Sequence, residues 1–179
     1  IVATDTVDWR LQRSRERFKR ASVHNVECQV LDDTTHKWVK RQQGKFDRVL
    51  IDVPCSGSGT WRRNPDLKWR IEEADFHNLL TTQAQILKKA AKLVKPGGRF
   101  IYSTCSLFRS ENQAQVDAFL AENPEFSLVP VAQIWQQVLP GPCPTNEPTL
   151  QLRPDLHHVD GFFVAIMQRA ALSNEASLD

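Results

Sequence analysis

No run of apolar residues in this 179-residue chain approaches the roughly 18 that a membrane-spanning helix needs. The opening residues, Ile1-Val2-Ala3-Thr4-Asp5, carry neither a basic leader nor a signal-peptide pattern, nor a starting Met. They open directly on a strand-like sequence, so a piece of a longer protein is expected. The four cysteines, Cys28, Cys55, Cys105 and Cys143, form no C-x-x-C pair. That scatter argues against a structural zinc site and, without a secretory signal, against a disulfide framework; reduced thiols in a cytoplasmic protein fit better. The histidines His24, His36, His77, His157 and His158 fall at no metal-ligand spacing, so no metal is expected. Internal repeats and low-complexity tracts are lacking too. The formal net charge is only +2, and composition alone does not announce a nucleic-acid partner.

What remains is the make-up of an ordinary globular domain, with 41% hydrophobic and 25% charged residues. One domain over residues 1–170 is expected, as a monomer, with a frayed tail at 171–179. Residues 1–4 read as a short buried strand ending at Asp5. Val7, Leu11 and Phe18 recur at helical spacing. Further strands are expected at Val26 to Leu31, Arg48 to Ile51, Arg99 to Thr104, Phe126 to Val131 and Gly161 to Met167. A long helix over 71–94, stopped by Pro96-Gly97-Gly98, carries Phe76, Leu79, Leu80, Leu87, Ala90, Ala91 and Val94 on one side. Ser110 with Gln113 makes a capping box for a second helix bearing Val116, Phe119 and Leu120. The proline-rich stretch 139–155 reads as a loop. Strands alternating with helices predict an open α/β sheet covered on both faces, with ligands at the carboxyl ends of the strands.

The charge is unevenly placed. Arg10, Arg13, Arg15, Arg17, Lys19 and Arg20 crowd one segment, which fits a solvated helix face as well as it fits RNA. Arg62, Arg63, Lys68 and Arg70 follow the segment Asp52-Val53-Pro54-Cys55-Ser56-Gly57-Ser58-Gly59-Thr60. A phosphate-binding role suits Arg62, Arg63 and Lys68 there. Trp61 and Trp69 fit either base stacking or packing. A second segment, Tyr102-Ser103-Thr104-Cys105-Ser106, also puts a cysteine just after a strand in a turn of small residues. Each cysteine alone could be a small buried hydrophobe. Both together, at the ligand-binding edge of one sheet, point to working thiols.

The series DVPCSGSGT, RRNPD, YSTCS and DGFF resembles the signature of RNA cytosine-5 methyltransferases of the Sun/Nop2 type, and among these the bacterial enzymes acting on 16S ribosomal RNA. The resemblance runs from Asp5 to Asp160-Gly161-Phe162-Phe163. It implies a Rossmann-like fold, S-adenosylmethionine as cofactor and RNA as partner. It also implies that the family's first strand and glycine-rich loop, absent here, lie before Ile1. By the same resemblance Cys105 is the nucleophile toward cytosine carbon 6, and Cys55 assists elimination and product release. Asp52 faces the cytosine's Watson–Crick edge as a general acid and lies beside the cofactor. Asp5 accepts from the cofactor's ribose, and Asp32, preferred over Asp33, serves the adenine side. A non-catalytic RNA-binding or assembly module on the same fold, and a tRNA-directed enzyme of the family, are the alternatives.

Overall fold

The computed structural model describes residues 1–31 and 36–172, which fall into two compact units, 1–42 and the remainder from Gln43. In the first unit, β1 (Val2–Asp5) and β2 (Glu27–Val30) pair in parallel, Ala3 opposite Cys28 and Asp5 opposite Val30. Between them α1 (Asp8–Arg20) crosses over and buries Leu11. Asp8 in its first turn and Arg17, Lys19 and Arg20 in its last complement the helix dipole, and the basic residues are exposed. A short helix, α2 (His36–Arg41), closes the unit. The expected burial of the opening strand does not hold: β1 is only partly covered, because in this unit β2 flanks it on one side and α1 shields one face.

The second unit is built on β3 (Phe46–Asp52), α3 (Leu67–Arg70), α4 (Glu73–Ala91), β4 (Val94–Thr104), α5 (Gln113–Glu122), β5 (Phe126–Val129), α6 (Val131–Val138), β6 (Leu150–Leu152), α7 (Pro154–His157) and β7 (Phe162–Arg169). Its sheet runs β3-β4-β7-β5, with β6 also pairing β7. β3 and β4 are parallel; β7 is antiparallel to β4, β5 and β6. Side chains alternate across a strand, and the alternation assigns the faces. Phe100 and Tyr102 of β4, with Phe163, Ala165 and Met167 of β7, meet Leu87, Ala90 and Ala91 of α4 and Val116 and Phe119 of α5. Their neighbours Ile101, Val164 and Ile166 point the other way, onto Val131, Ile134 and Trp135 of α6. Helices therefore cover both faces, as the sequence predicts. Among the described residues β3 has a strand on one side only, and Leu50 at its middle stays 68% exposed.

Several boundaries differ from expectation. The long helix stops at Ala91, and Pro96-Gly97-Gly98 lie inside the next strand. There the chain bulges: Phe46 pairs Val94 and Arg48 pairs Arg99, two steps on β3 against five on β4. No capping box forms at Ser110, because α5 starts at Gln113 with Asn112 before it. Gln113 instead bonds Asp117 and Thr149. The strand from Phe126 ends at Val129, and Pro130 leads into α6, which sequence patterning leaves unassigned. The stretch 139–155 is not all loop, since β6 and the start of α7 lie within it. No helix among the described residues is long and apolar enough to cross a membrane, and none of their His, Cys, Asp and Glu cluster to hold a metal.

Candidate functional site

Parallel pairing of β3 with β4 decides where the two cysteines go. Asp52 sits opposite Ser103, and both chains leave the sheet at the same, carboxyl, edge. Val53 N–H still bonds Ser103 O at 3.2 Å before the chain turns through Pro54 into Cys55. Gly57 takes a left-handed φ of 66°, which a side chain would strain, and folds the turn back into the short 3-10 segment Ser58–Thr60. Gly59 N–H then bonds Cys105 O at 2.9 Å, and Gly161 N–H bonds Gly59 O at 2.8 Å. The approach leaves no room for a side chain: a Cβ on Gly59 would lie 2.6 Å from Gly161 Cα. Thus the residues before β7 lock the turn after β3 onto the turn after β4.

The result is a pair of half-buried thiols, Cys55 Sγ and Cys105 Sγ, 3.3 Å apart. Hydrogen-bonded to each other, they are not equivalent. The hydrogen bond from Cys55 pulls the Cys105 thiol down from its ordinary 9.0 to about 7, against the opposing effects of burial and the charges of Asp52 and Glu111. Cys55 is pushed up, first by its hydrogen bond with Cys105 and then by burial. Asp52 stands at the exposed rim, yet its neighbours exclude enough water to raise its carboxyl, with Ser103 offsetting in part.

Beneath the thiols lies a buried polar cluster that sequence patterning does not reveal. Glu111, 0% exposed, accepts at Oε1 from Ser56 N–H (2.8 Å) and Gln83 Nε2 (3.0 Å), and at Oε2 from Ser56 Oγ (2.5 Å) and Ser106 Oγ. Asn112 donates to Ser106 O at 2.8 Å and accepts from Thr104 Oγ1 at 2.6 Å. One signal is present in the sequence: Gln83 interrupts the apolar stripe of α4 between Leu80 and Leu87, and there it is fully buried. Glu111 itself, in an aperiodic segment, gives none.

The basic residues after the first turn are held differently from one another. Arg63 bonds Asp160 through Nε at 2.6 Å and Nη2 at 2.5 Å, and the same carboxylate raises its pKa. Arg62 lies 4.0 Å from Asp160, and Lys68 Nζ sits 5.2 Å over the Trp69 ring. Trp61 and Phe76 each pack edge-on against Phe108, whereas Trp69 is exposed. Trp61, Phe76 and Phe108, with Lys68 and Ser56, line a cleft of about 350 Å³. The structure therefore brings Cys55, Cys105 and Asp52 to one sheet edge, with Arg62, Arg63 and Lys68 following in the same unit.

Asp5 belongs to the other unit. It closes β1 as expected and accepts at Oδ1 from Val7 N–H (2.9 Å), while among the described residues Oδ2 has only the exposed Arg10, 3.8 Å away. It retains acceptor capacity for a ribose hydroxyl, so its chemistry fits the role given it. Asp32, and its alternative Asp33, lie outside the described residues.

A family model described as 16S rRNA methyltransferase RsmB/F matches residues 1–168. A probable ribosomal RNA small subunit methyltransferase B from Synechocystis sp. is 38% identical over 170 residues, 95% of this chain and 37% of that protein. The ribosomal RNA small subunit methyltransferase B of Salmonella arizonae is 34% identical over 165 residues, 92% of this chain and 35% of that protein. The chain thus spans little over a third of the length of these relatives. Among solved structures, a methyltransferase homologue from Pyrococcus horikoshii superposes with a TM-score of 0.71 at 28% identity, covering 94% of this chain and 53% of that one. The α/β sheet is that of S-adenosylmethionine-dependent methyltransferases, and with a match running through nearly all its residues the chain belongs to the RsmB/F family of 16S rRNA methyltransferases.

Proposed function

We propose that the protein methylates carbon 5 of cytosine in RNA, 16S ribosomal RNA in particular, through a covalent adduct with Cys105. The observation that supports this most is the thiol pair: two sulfurs 3.3 Å apart, with Cys105 pulled down to about 7 and Cys55 pushed up. Cytosine carbon 5 is a weak nucleophile while the ring is aromatic. Addition of the Cys105 thiolate to carbon 6 forms an S–C6 bond, breaks aromaticity and makes carbon 5 enamine-like. Asp52, its carboxyl raised toward protonation, is suited to donate to N3 as negative charge gathers there. S-adenosylmethionine, when bound, supplies an electrophilic methyl on sulfonium, and Asp5, Asp32 and Asp52 are the residues proposed to hold it. Water takes the carbon 5 proton, the C5–H electron pair re-forms the C5–C6 double bond, and the S–C6 bond breaks to release the Cys105 thiolate. Cys55 is assigned to this last stage.

RNA phosphates are assigned to Arg62, Arg63 and Lys68, Arg63 being aimed by Asp160. In this reading the protein acts as a cytoplasmic monomer. The test uses the whole protein on a denaturing gel. Cys105→Ala should lose methylation and adduct together. Cys55→Ala should attack and methylate, then stall with RNA attached, giving a shifted band that needs both RNA and S-adenosylmethionine. The double variant should behave as Cys105→Ala does. An adduct only with Cys105→Ala reverses the roles, and no adduct from any variant of an active enzyme removes the covalent mechanism.

A further inference from the structure

We infer that Glu111 is a positioning residue that holds the two thiol-bearing turns in register; the inference rests on the thiol chemistry proposed above. A carboxylate with no exposed surface is an expensive thing to keep in a protein interior. Among the described residues it has no Lys, Arg or His at ion-pair distance, the usual compensation. What it has is four donors on two oxygens, a set that an ionised carboxylate, acceptor-only, satisfies and an amide does not.

The identity of those donors carries the inference. Ser56 immediately follows Cys55, and Ser106 immediately follows Cys105. Three of the four bonds therefore come from residues adjacent to a thiol, and Oε2 alone joins both turns. The fourth donor, Gln83, also bonds Pro54 O at 2.9 Å, so it grips the residue on the other side of Cys55. The main chain of Glu111 is anchored in turn: Tyr102 Oη donates to its carbonyl O at 2.5 Å, and Tyr102 belongs to β4, the strand that delivers Cys105. A side chain wanted only for packing would be apolar here. This one spans from the end of one strand to the turn of the next and sets how far apart the sulfurs stand.

The consequence is measurable because two influences of Glu111 on Cys105 oppose each other. Its charge raises the Cys105 thiol, whereas the register it enforces allows the Cys55 hydrogen bond that lowers it, and the latter is the larger influence. Glu111→Gln removes the charge and turns an N–H₂ toward donors. If Glu111 positions the turns, the midpoint for iodoacetamide alkylation of Cys105, followed by peptide mass mapping in the whole protein, rises by about one pH unit or more relative to the parent. Methyl transfer should fall at least about tenfold with little change in KM for RNA, and Glu111→Asp should recover part of both. An unchanged or lowered midpoint with transfer within about twofold of the parent overturns the inference.

If circular dichroism shows Glu111→Gln unfolded, Ser56→Ala and Ser106→Ala each delete one donor and leave the carboxylate in place. Both should raise the midpoint by a smaller amount, and no rise in either overturns the inference. The thiol reading fails separately, by methylation surviving Cys105→Ala, whereas the alkylation midpoint needs no turnover.

Discussion

Replacing Cys55 by alanine tests the inequality of the two thiols without reference to RNA. The change deletes the hydrogen-bond partner that brings Cys105 from 9.0 to about 7; what remains is the upward push of burial and of the charges of Asp52 and Glu111, against a smaller lowering by a backbone hydrogen bond, so the midpoint should return to about 9 or above. A rise of that size changes the thiolate population at pH 7 from about half to about one in a hundred. The less acidic thiolate is also the better nucleophile, with a Brønsted slope of roughly 0.4–0.5, which gives back about eightfold. Net alkylation of Cys105 at pH 7 should therefore slow by only about sixfold, while above about pH 8 the variant should overtake the parent. That crossing is the diagnostic. The assay is the pH profile of iodoacetamide labelling from about pH 5 to about pH 10, with the Cys105 peptide quantified against Cys28 and Cys143 as internal standards. Parallel profiles, or a variant slower at every pH, would refute the assignment of Cys55 as proton donor to Cys105.

Three further outcomes are expected. Gly59→Ala should destabilise the fold by about 2–4 kcal/mol, from overpacking against the Gly161 backbone and the strained or lost Gly161–Gly59 hydrogen bond. Urea unfolding measures it, and a cost under about 1 kcal/mol would mean the contact yields freely. Alanine at Arg62, Arg63 and Lys68 together should weaken RNA binding across sequences and flatten its log–log salt dependence by roughly 0.7 to 1 per lost phosphate contact; an unchanged slope returns these side chains to plain surface. The 179-residue chain by itself should bind S-adenosylmethionine more weakly than about 1 mM, because among the described residues β3 has a strand on one side only and Leu50 at its middle stays exposed. Calorimetric binding in the micromolar range would contradict this.

The sheet edge is legible in the sequence because its signals are local and redundant. Val49-Leu50-Ile51 and Phe100-Ile101-Tyr102 are short apolar runs that break into turns of Ser, Gly and Pro, so each cysteine can be placed just after a strand. The parallel pairing that unites them follows from the helix between. The helix α6 is not legible although Val131, Ile134, Trp135 and Val138 have helical spacing, because Pro130 and the prolines from 140 onward suggest irregular chain. Glu111 is hidden for a different reason. Its importance lies in partners at positions 56, 83 and 106, and no spacing within one segment reports a meeting of three. Composition alone predicts a buried β1, but burial depends on neighbours on both sides, which Ile1-Val2-Ala3 cannot reveal.

The order of the strands also bears on how the molecule comes into being. β7 is the last strand described, yet it lies between β4 and β5 and pairs with β6 as well. As the ribosome extends the chain, Cys55 and Cys105 emerge long before Gly161, whose N–H closes on Gly59, and before Asp160, which grips Arg63 from 97 residues away. Until residues 162–169 emerge, β4 offers an open edge, a state prone to pairing with other chains. Contacts so distant in sequence form slowly. The turns that carry the thiols can thus be joined through Glu111 well before the lock between Gly161 and Gly59 exists, so their last clamp is added only when β7 completes the sheet.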